Sequence, residues 1–197
     1  MKAKDTVLIM DILEKAITFA VEVHSGQMRK LAETPFILHP LETASIIATM
    51  TNDKETMAAG ILHDAIEDAG VTIERIREEF GERVADLVMS ETEEKSSALP
   101  AEATWERRKQ ESLLVLRNTD DLHVKIMWLG DKLSNMRSFY REYRKNGDAI
   151  FLVMHQKDPK MHGWYYKTIA AYLTELSDTE AYREYLWLIK EVFDGGV

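Results

Sequence analysis

Apolar residues recur at three- and four-residue intervals along nearly the whole chain, and no stretch of useful length alternates polar with apolar. A helix buries one stripe at that spacing, whereas a strand needs period two, so the pattern confines the fold to packed helices. From Thr6 to Val23 the stripe is Leu8, Ile12, Ala16, Phe19, Ala20 and Val23, and Ser25-Gly26 ends it. Pro40 stands where proline can open a helix carrying Leu41, Ala44, Ile47 and Ala48. Asn52-Asp53 caps a helix running from Lys54 to about Asp68, and Thr72 caps a shorter one to Phe80, broken at Gly81. Glu93 to Thr104, with Ser96-Ser97 and Pro100, reads as the clearest loop. Helices from about Trp105 to Asn118 and from Leu122 to roughly Lys145 follow, separated by the capping cluster Thr119-Asp120-Asp121. Breaks at Asp158-Pro159 and Ser177-Asp178 divide the remainder. The expectation is an all-α fold, a single-domain helical bundle over residues 1–197 with no internal repeat or linker.

Composition narrows the chemistry. The chain has no cysteine, so any transition-metal site must be built from histidine and carboxylates. A net charge of −9 argues against a nucleic acid polymer as partner, because phosphate backbones need a basic face. A small anionic substrate remains compatible if cations are gathered locally, as at Arg29-Lys30, Arg107-Arg108-Lys109, and Arg137, Arg141, Arg144 and Lys145. Each such group is equally an ordinary solvated helix face. Asp11 and Glu14 interrupt the N-terminal segment, which therefore lacks a signal-peptide core. No stretch has the length of a membrane span, so a cytoplasmic protein without a membrane partner is expected.

The most informative segment is Gly60-Ile-Leu-His-Asp-Ala-Ile-Glu-Asp-Ala69. The residues before His63 and Asp64 are almost wholly apolar, and a helix packed all round tolerates ionisable groups only when they are paired or metal-bound. Glu67 and Asp68 follow one turn later, so three carboxylates and an imidazole crowd one helix end. A divalent cation would relieve that repulsion. Asp131 interrupts a second apolar run, Ile126-Met-Trp-Leu129, with Asn135 one turn further on; His39 lies between an apolar run and Pro40. Taken singly, His39 reads as a packed core histidine, and Glu67 with Asp68 as a helix-end salt-bridge cluster.

Taken in order, these elements resemble the HD superfamily of phosphohydrolases, and within it the hydrolase domain of the RelA/SpoT family and its small stand-alone relatives. The resemblance rests on His24-Ser-Gly-Gln-Met-Arg-Lys30, Thr34-Pro-Phe-Ile-Leu-His-Pro40, the His63-Asp64 and Glu67-Asp68 pairs, Trp105-Glu-Arg-Arg-Lys109 and Leu129 to Arg137. It implies removal of the 3′-pyrophosphate from guanosine tetra- and pentaphosphate, without synthesis. Residue by residue, it implies that His39, His63, Asp64 and Asp131 ligate a metal and that Glu67 and Asp68 act as an acid/base pair. Arg29 and Lys30 correspond to a base- and phosphate-contacting pair, and Asn135 to the residue beside the nucleoside. Lys95, Arg108 and Lys109 correspond to cations facing the phosphates, and Tyr165 to a tyrosine near ribose or base, although Trp164 to Tyr166 equally read as core aromatics. His24 is expected to be structural.

Two imidazoles and two carboxylates suit Mn(II), Fe(II) or Zn(II). Hydrolysis needs a position left open for water, which a four-ligand tetrahedral zinc site lacks. Manganese is therefore the expected cofactor, as in the family, with other divalent transition metals as alternatives. The chain departs from the family pattern at Ala69, where threonine is usual, in a longer Leu31-Ala-Glu-Thr-Pro35 loop, and at Met161, where some relatives carry arginine. Those departures touch nucleotide identity, so hydrolysis of another nucleotide or phosphorylated cofactor, and a catalytically silent nucleotide-binding module, stand as alternatives.

Overall fold

Helix starts and stops are set by side chains that the chain itself supplies. A computed structural model describes residues 10–29, 33–93 and 100–195, and every regular element among them is helical. In chain order these are α1 (Ile12–Val23), α2 (Leu38–Ile47), α3 (Lys54–Leu62), α4 (Ala65–Ala69), α5 (Ile73–Phe80), α6 (Glu82–Met89), α7 (Ala101–Asn118), α8 (Leu122–Asn146), α9 (Pro159–Tyr172) and α10 (Glu180–Phe193). Short 3-10 turns flank α9, and the β-bridge between Met28 and Pro35 is isolated. Asp11 caps α1 in a reciprocal box with Glu14. Asp53, Thr72, Asp121, Asp158 and Thr179 each accept a first-turn backbone N–H at the start of α3, α5, α8, α9 and α10. Each cap satisfies a donor that the helix cannot, worth about 1 kcal/mol.

The core is built around α8. Met127, Trp128, Leu129, Leu133 and Met136 are fully buried, and α8 packs against α2, α3 and α10. Two glycines let α2 approach both neighbours. A Cβ on Gly60 of α3 would lie 2.3 Å from Ile47 Cδ1, and one on Gly130 of α8 would lie 2.7 Å from Ile47 Cγ1 and 3.2 Å from the Thr43 carbonyl oxygen. A side chain at Gly130 would press on the backbone of α2, and one at Gly60 would displace the end of the Ile47 side chain.

Two expectations need correction. The helix expected from Lys54 to about Asp68 is interrupted at His63-Asp64 and resumes as α4. His63 Nδ1 donates to the Gly60 carbonyl at 2.8 Å, the acceptor that a continuing helix would give to residue 64, and Asp64 sits at φ −90, ψ −2. The loop expected to reach Thr104 ends at Pro100, and α7 starts at Ala101, because proline suits a helix entrance as well as a loop. Residues 1–9, 30–32 and 94–99 fall outside the described residues, and with them Thr6 to Ile9, Lys30 and Lys95. Among the described residues, no helix is long and apolar enough to cross a membrane.

Candidate metal centre

Three helices and one interruption deliver four ligand atoms to one point. His39 stands in the first turn of α2, His63 follows the last residue of α3, Asp64 precedes α4, and Asp131 lies within α8. His39 Nε2 is 3.0 Å from Asp131 Oδ1 and 3.5 Å from Asp64 Oδ2. His63 Nε2 is 3.1 Å from Asp64 Oδ2 and 3.4 Å from Asp131 Oδ1. His39, His63 and Asp131 are buried, and their ligand atoms lie within 4.8 Å of one another, as a shared metal ion requires. Asp64 is partly exposed beside them.

The donor set suits a cation. His63 Nδ1 must carry a proton, since a carbonyl only accepts, so in the neutral ring the lone pair lies on Nε2. That atom is buried and has no hydrogen-bond partner among the described residues. Burial opposes protonation of His63, yet Asp64 and Asp131 outweigh it and hold its pKa well above the usual histidine value. Burial alone would raise Asp131, but Lys132 and the two imidazoles hold it well below the carboxylate range. Burial lowers His39. The carboxylates thus draw positive charge to the point where the imidazoles converge, which is the electrostatic signature of a cation site.

This cluster forms one wall of a cavity of about 790 Å³. Every candidate residue within the described segments lines it: Arg29, His39, His63, Asp64, Glu67, Asp68, Arg108, Lys109, Asp131, Asn135 and Tyr165. Arg29 donates to Asn135 Oδ1 at 2.9 Å, and Asn135 donates to Asp131 Oδ1 at 2.7 Å, so the outer cation is tied to the inner carboxylate. Arg108 and Lys109 both pair with Glu93, whose carboxyl they hold below its ordinary value against the opposing effect of burial. The Glu93 backbone N–H donates to Glu67 Oε1 at 2.7 Å. Tyr165 is buried, with Lys109 Nζ 4.8 Å from its ring centre. His24 is buried against Phe36 and bonded to Gln27 through Nδ1, apart from the cluster.

Several residues escaped the sequence reading. Glu91 is buried at the cavity wall, 2.8 Å from Lys132 Nζ, and burial pushes its pKa up to about 8. Lys132 also pairs with Asp131. Ser134 contacts His39 Nδ1, and Glu42 contacts Ser134. Glu42 and Ser134 each stand three residues after a candidate ligand, so they project from the same helix face. That spacing was the available signal.

An all-helical protein whose buried imidazoles and carboxylate converge between packed helices is a helical metal-site domain. The chain belongs to the HD domain family, which matches residues 16–155. A GTP pyrophosphokinase of Myxococcus xanthus is 35% identical over 131 residues, 66% of this chain and 17% of that protein. A guanosine-3′,5′-bis(diphosphate) 3′-pyrophosphohydrolase of Aquifex aeolicus (strain VF5) is 39% identical over 136 residues, 68% of this chain and 19% of that protein. The chain thus spans less than a fifth of the length of these curated relatives. A metazoan ortholog of SpoT, described as hydrolyzing ppGpp and playing a role in starvation responses, superposes with a TM-score of 0.69. It is 21% identical, over 92% of this chain and 95% of that one, a likeness of fold.

Proposed function

We propose that the chain is a metal-dependent phosphohydrolase that removes pyrophosphate from the 3′ position of guanosine polyphosphates, with manganese as its cation. The observation that carries this reading is the convergence of two imidazoles and two carboxylates, 3.0–3.5 Å apart in pairs, on the wall of a cavity that also holds an acid pair and three outer cations. The Aquifex aeolicus relative bears the name of this activity. His39, His63, Asp64 and Asp131 would hold the cation, which supplies Lewis-acid polarisation of a phosphoryl oxygen and a water activated for attack.

The chain's own residues do the rest. Among the described residues the cavity wall carries six Asp and Glu side chains against four Arg and Lys cations, and a divalent cation would add positive charge for a polyphosphate. Arg108 and Lys109, held ready by Glu93, face the phosphates, and Lys30 and Lys95 belong to the same role. Arg29 can stack on the base while Asn135, which it contacts, meets the nucleoside. Tyr165 borders the nucleoside pocket. Glu67, its Oε1 fixed by the Glu93 N–H, and Asp68 orient the attacking water and move its proton.

The test is release of pyrophosphate from guanosine tetraphosphate with and without Mn(II), beside a panel of other nucleotides. Mn-dependent pyrophosphate, abolished by His63→Ala, is expected. Phosphate released from another nucleotide alone would change the substrate while leaving the metal centre in place; no product from any nucleotide would leave a binding module.

A further inference from the structure

The two candidate imidazole ligands are oriented by different means. His63 Nδ1 donates to the backbone carbonyl of Gly60, an acceptor that no side-chain substitution removes. His39 Nδ1 lies 2.9 Å from Ser134 Oγ, and a hydroxyl can either give or take a proton. Ser134 Oγ is also 2.8 Å from Glu42 Oε2. If the hydroxyl pointed at His39, its lone pairs would face a carboxylate at that distance, which is repulsive. The hydroxyl therefore donates to Glu42 and accepts from His39 Nδ1–H. The opposite face of the ring offers a competing acceptor, since His39 Nε2 is 3.0 Å from Asp131 Oδ1. A neutral imidazole carries one proton, and it goes to one nitrogen or the other. On Nε2 it would point at the place where a cation sits; on Nδ1 it leaves the lone pair there. Glu42 is itself held: Arg137 Nη1 donates to its Oε1 at 3.1 Å, and the same guanidinium forks onto Glu184 of α10 at 2.6 and 2.7 Å.

We propose that Ser134 and Glu42 are positioning residues that set the tautomer of His39 and thereby the affinity of the centre for its divalent cation. The proposal rests on the metal-centre reading above but not on the identity of the nucleotide. Outer partners of ligating histidines commonly change metal affinity 10–100-fold, and here a serine stands between the ring and the carboxylate.

Two variants test it, Ser134→Ala and Glu42→Ala; Glu42 is at the half-exposed end of the relay, and its loss leaves Arg137 on Glu184. Mn(II) affinity is measured by competition with a chromophoric chelator, and the His39 tautomer by ring-nitrogen NMR on the metal-free protein. Both variants are expected to bind Mn(II) roughly 10–100-fold more weakly and to move the His39 proton from Nδ1 toward Nε2. Wild-type affinity in both variants, or a wild-type His39 already protonated on Nε2 and unchanged by either, overturns the proposal. The hydrolase reading fails separately, when wild-type protein binds Mn(II) and releases nothing from any nucleotide. If wild-type protein binds no Mn(II), the NMR measurement still decides the tautomer.

Discussion

Gly130 is the position at which one methyl group should cost most, because α2 rests on α8 there with no gap. An alanine Cβ would lie 2.7 Å from Ile47 Cγ1 and 3.2 Å from the Thr43 carbonyl oxygen. Cγ1 is fixed directly to Cβ of a β-branched, fully buried side chain, and Thr43 O is backbone, so relief requires α2 to move. Overpacking of that kind costs about 1–3 kcal/mol, and alanine returns roughly 1 kcal/mol of helix preference over glycine. Gly130→Ala should therefore destabilise by up to about 2 kcal/mol, a fall in Tm of up to several degrees. Ile47→Ala alone should cost about 2–5 kcal/mol through the cavity it leaves. Of the three nearest contacts of that methyl only Thr43 O remains in this background, and the methyl fills part of the void, so its cost should fall, giving a coupling of about 1–2 kcal/mol. Ile47→Val provides a control: it removes Cδ1, the atom facing Gly60 at 2.3 Å, and keeps Cγ1. It should relieve Gly60→Ala and leave Gly130→Ala unrelieved. Urea unfolding midpoints of the singles and doubles read this out, and Mn(II) affinity should fall in Gly130→Ala, because α2 carries His39. Additive free energies in the Gly130→Ala/Ile47→Ala pair would refute the close-approach argument, as would equal relief of both alanines by Ile47→Val.

Further outcomes follow from the same geometry. Glu67→Gln should retain wild-type Mn(II) binding and lose about 10²–10⁴ in turnover, measured as pyrophosphate release at matched metal content; undiminished turnover would remove Glu67 from the chemistry. Glu93→Gln strips a buried partner from Arg108 and Lys109 and should destabilise by about 3 kcal/mol. Added inorganic pyrophosphate should raise the melting temperature of this variant more than that of wild type. Asp121→Asn keeps a helix cap but loses the Arg83 ion pair. Arg83 holds the Asp121 pKa below its ordinary 3.8, so the pair stabilises the fold above that pH and stops doing so as the pH falls through the lowered folded value. The difference in unfolding free energy between wild type and Asp121→Asn, measured by urea unfolding, should accordingly be flat near neutrality, at most about 1 kcal/mol for a half-exposed pair, and close below pH ~3.8.

Much of the fold was legible because helices announce themselves locally. Thr72, Asp53 and Asp121 are capping residues by side-chain chemistry, and each caps where expected; Asp158, expected only as a break, caps α9. The break at His63-Asp64 was not legible, since every residue from Lys54 to Asp68 tolerates a helix. It coincides with a side-chain bond, His63 Nδ1 to Gly60 O, that appears only once the ring is turned toward a cluster assembled from distant segments. Pro100 misled for the opposite reason, being equally at home in loops and at helix entrances. In the site, residues flanked by apolar runs could be picked out because burial of an ionisable group demands a reason. Glu91, Ser134 and Glu42 are defined by partners 41, 95 and 92 residues away; the three-residue spacing of Glu42 and Ser134 after candidate ligands gives their helix face but not the long-range hydrogen bond.

The break and the glycines together explain why the cluster stands where it does. An uninterrupted helix would carry Glu67 and Asp68 along the axis of α3, with Asp64 set a hundred degrees around it from His63. With the turn inserted, His63 Nε2 and Asp64 Oδ2 come within 3.1 Å, and α4 brings Glu67 to the backbone of Glu93 at the cavity wall. Gly60 and Gly130 then let α2 close over both helices, so that His39 reaches Asp131 at 3.0 Å. His39 and Asp131 come from different packed helices and His63 with Asp64 from the turn between α3 and α4, so the spacing among the four is set by core packing together with that turn. Perturbing that packing at Gly130, which precedes Asp131 and does not line the cavity, should thus act on the metal centre before it acts on the nucleotide.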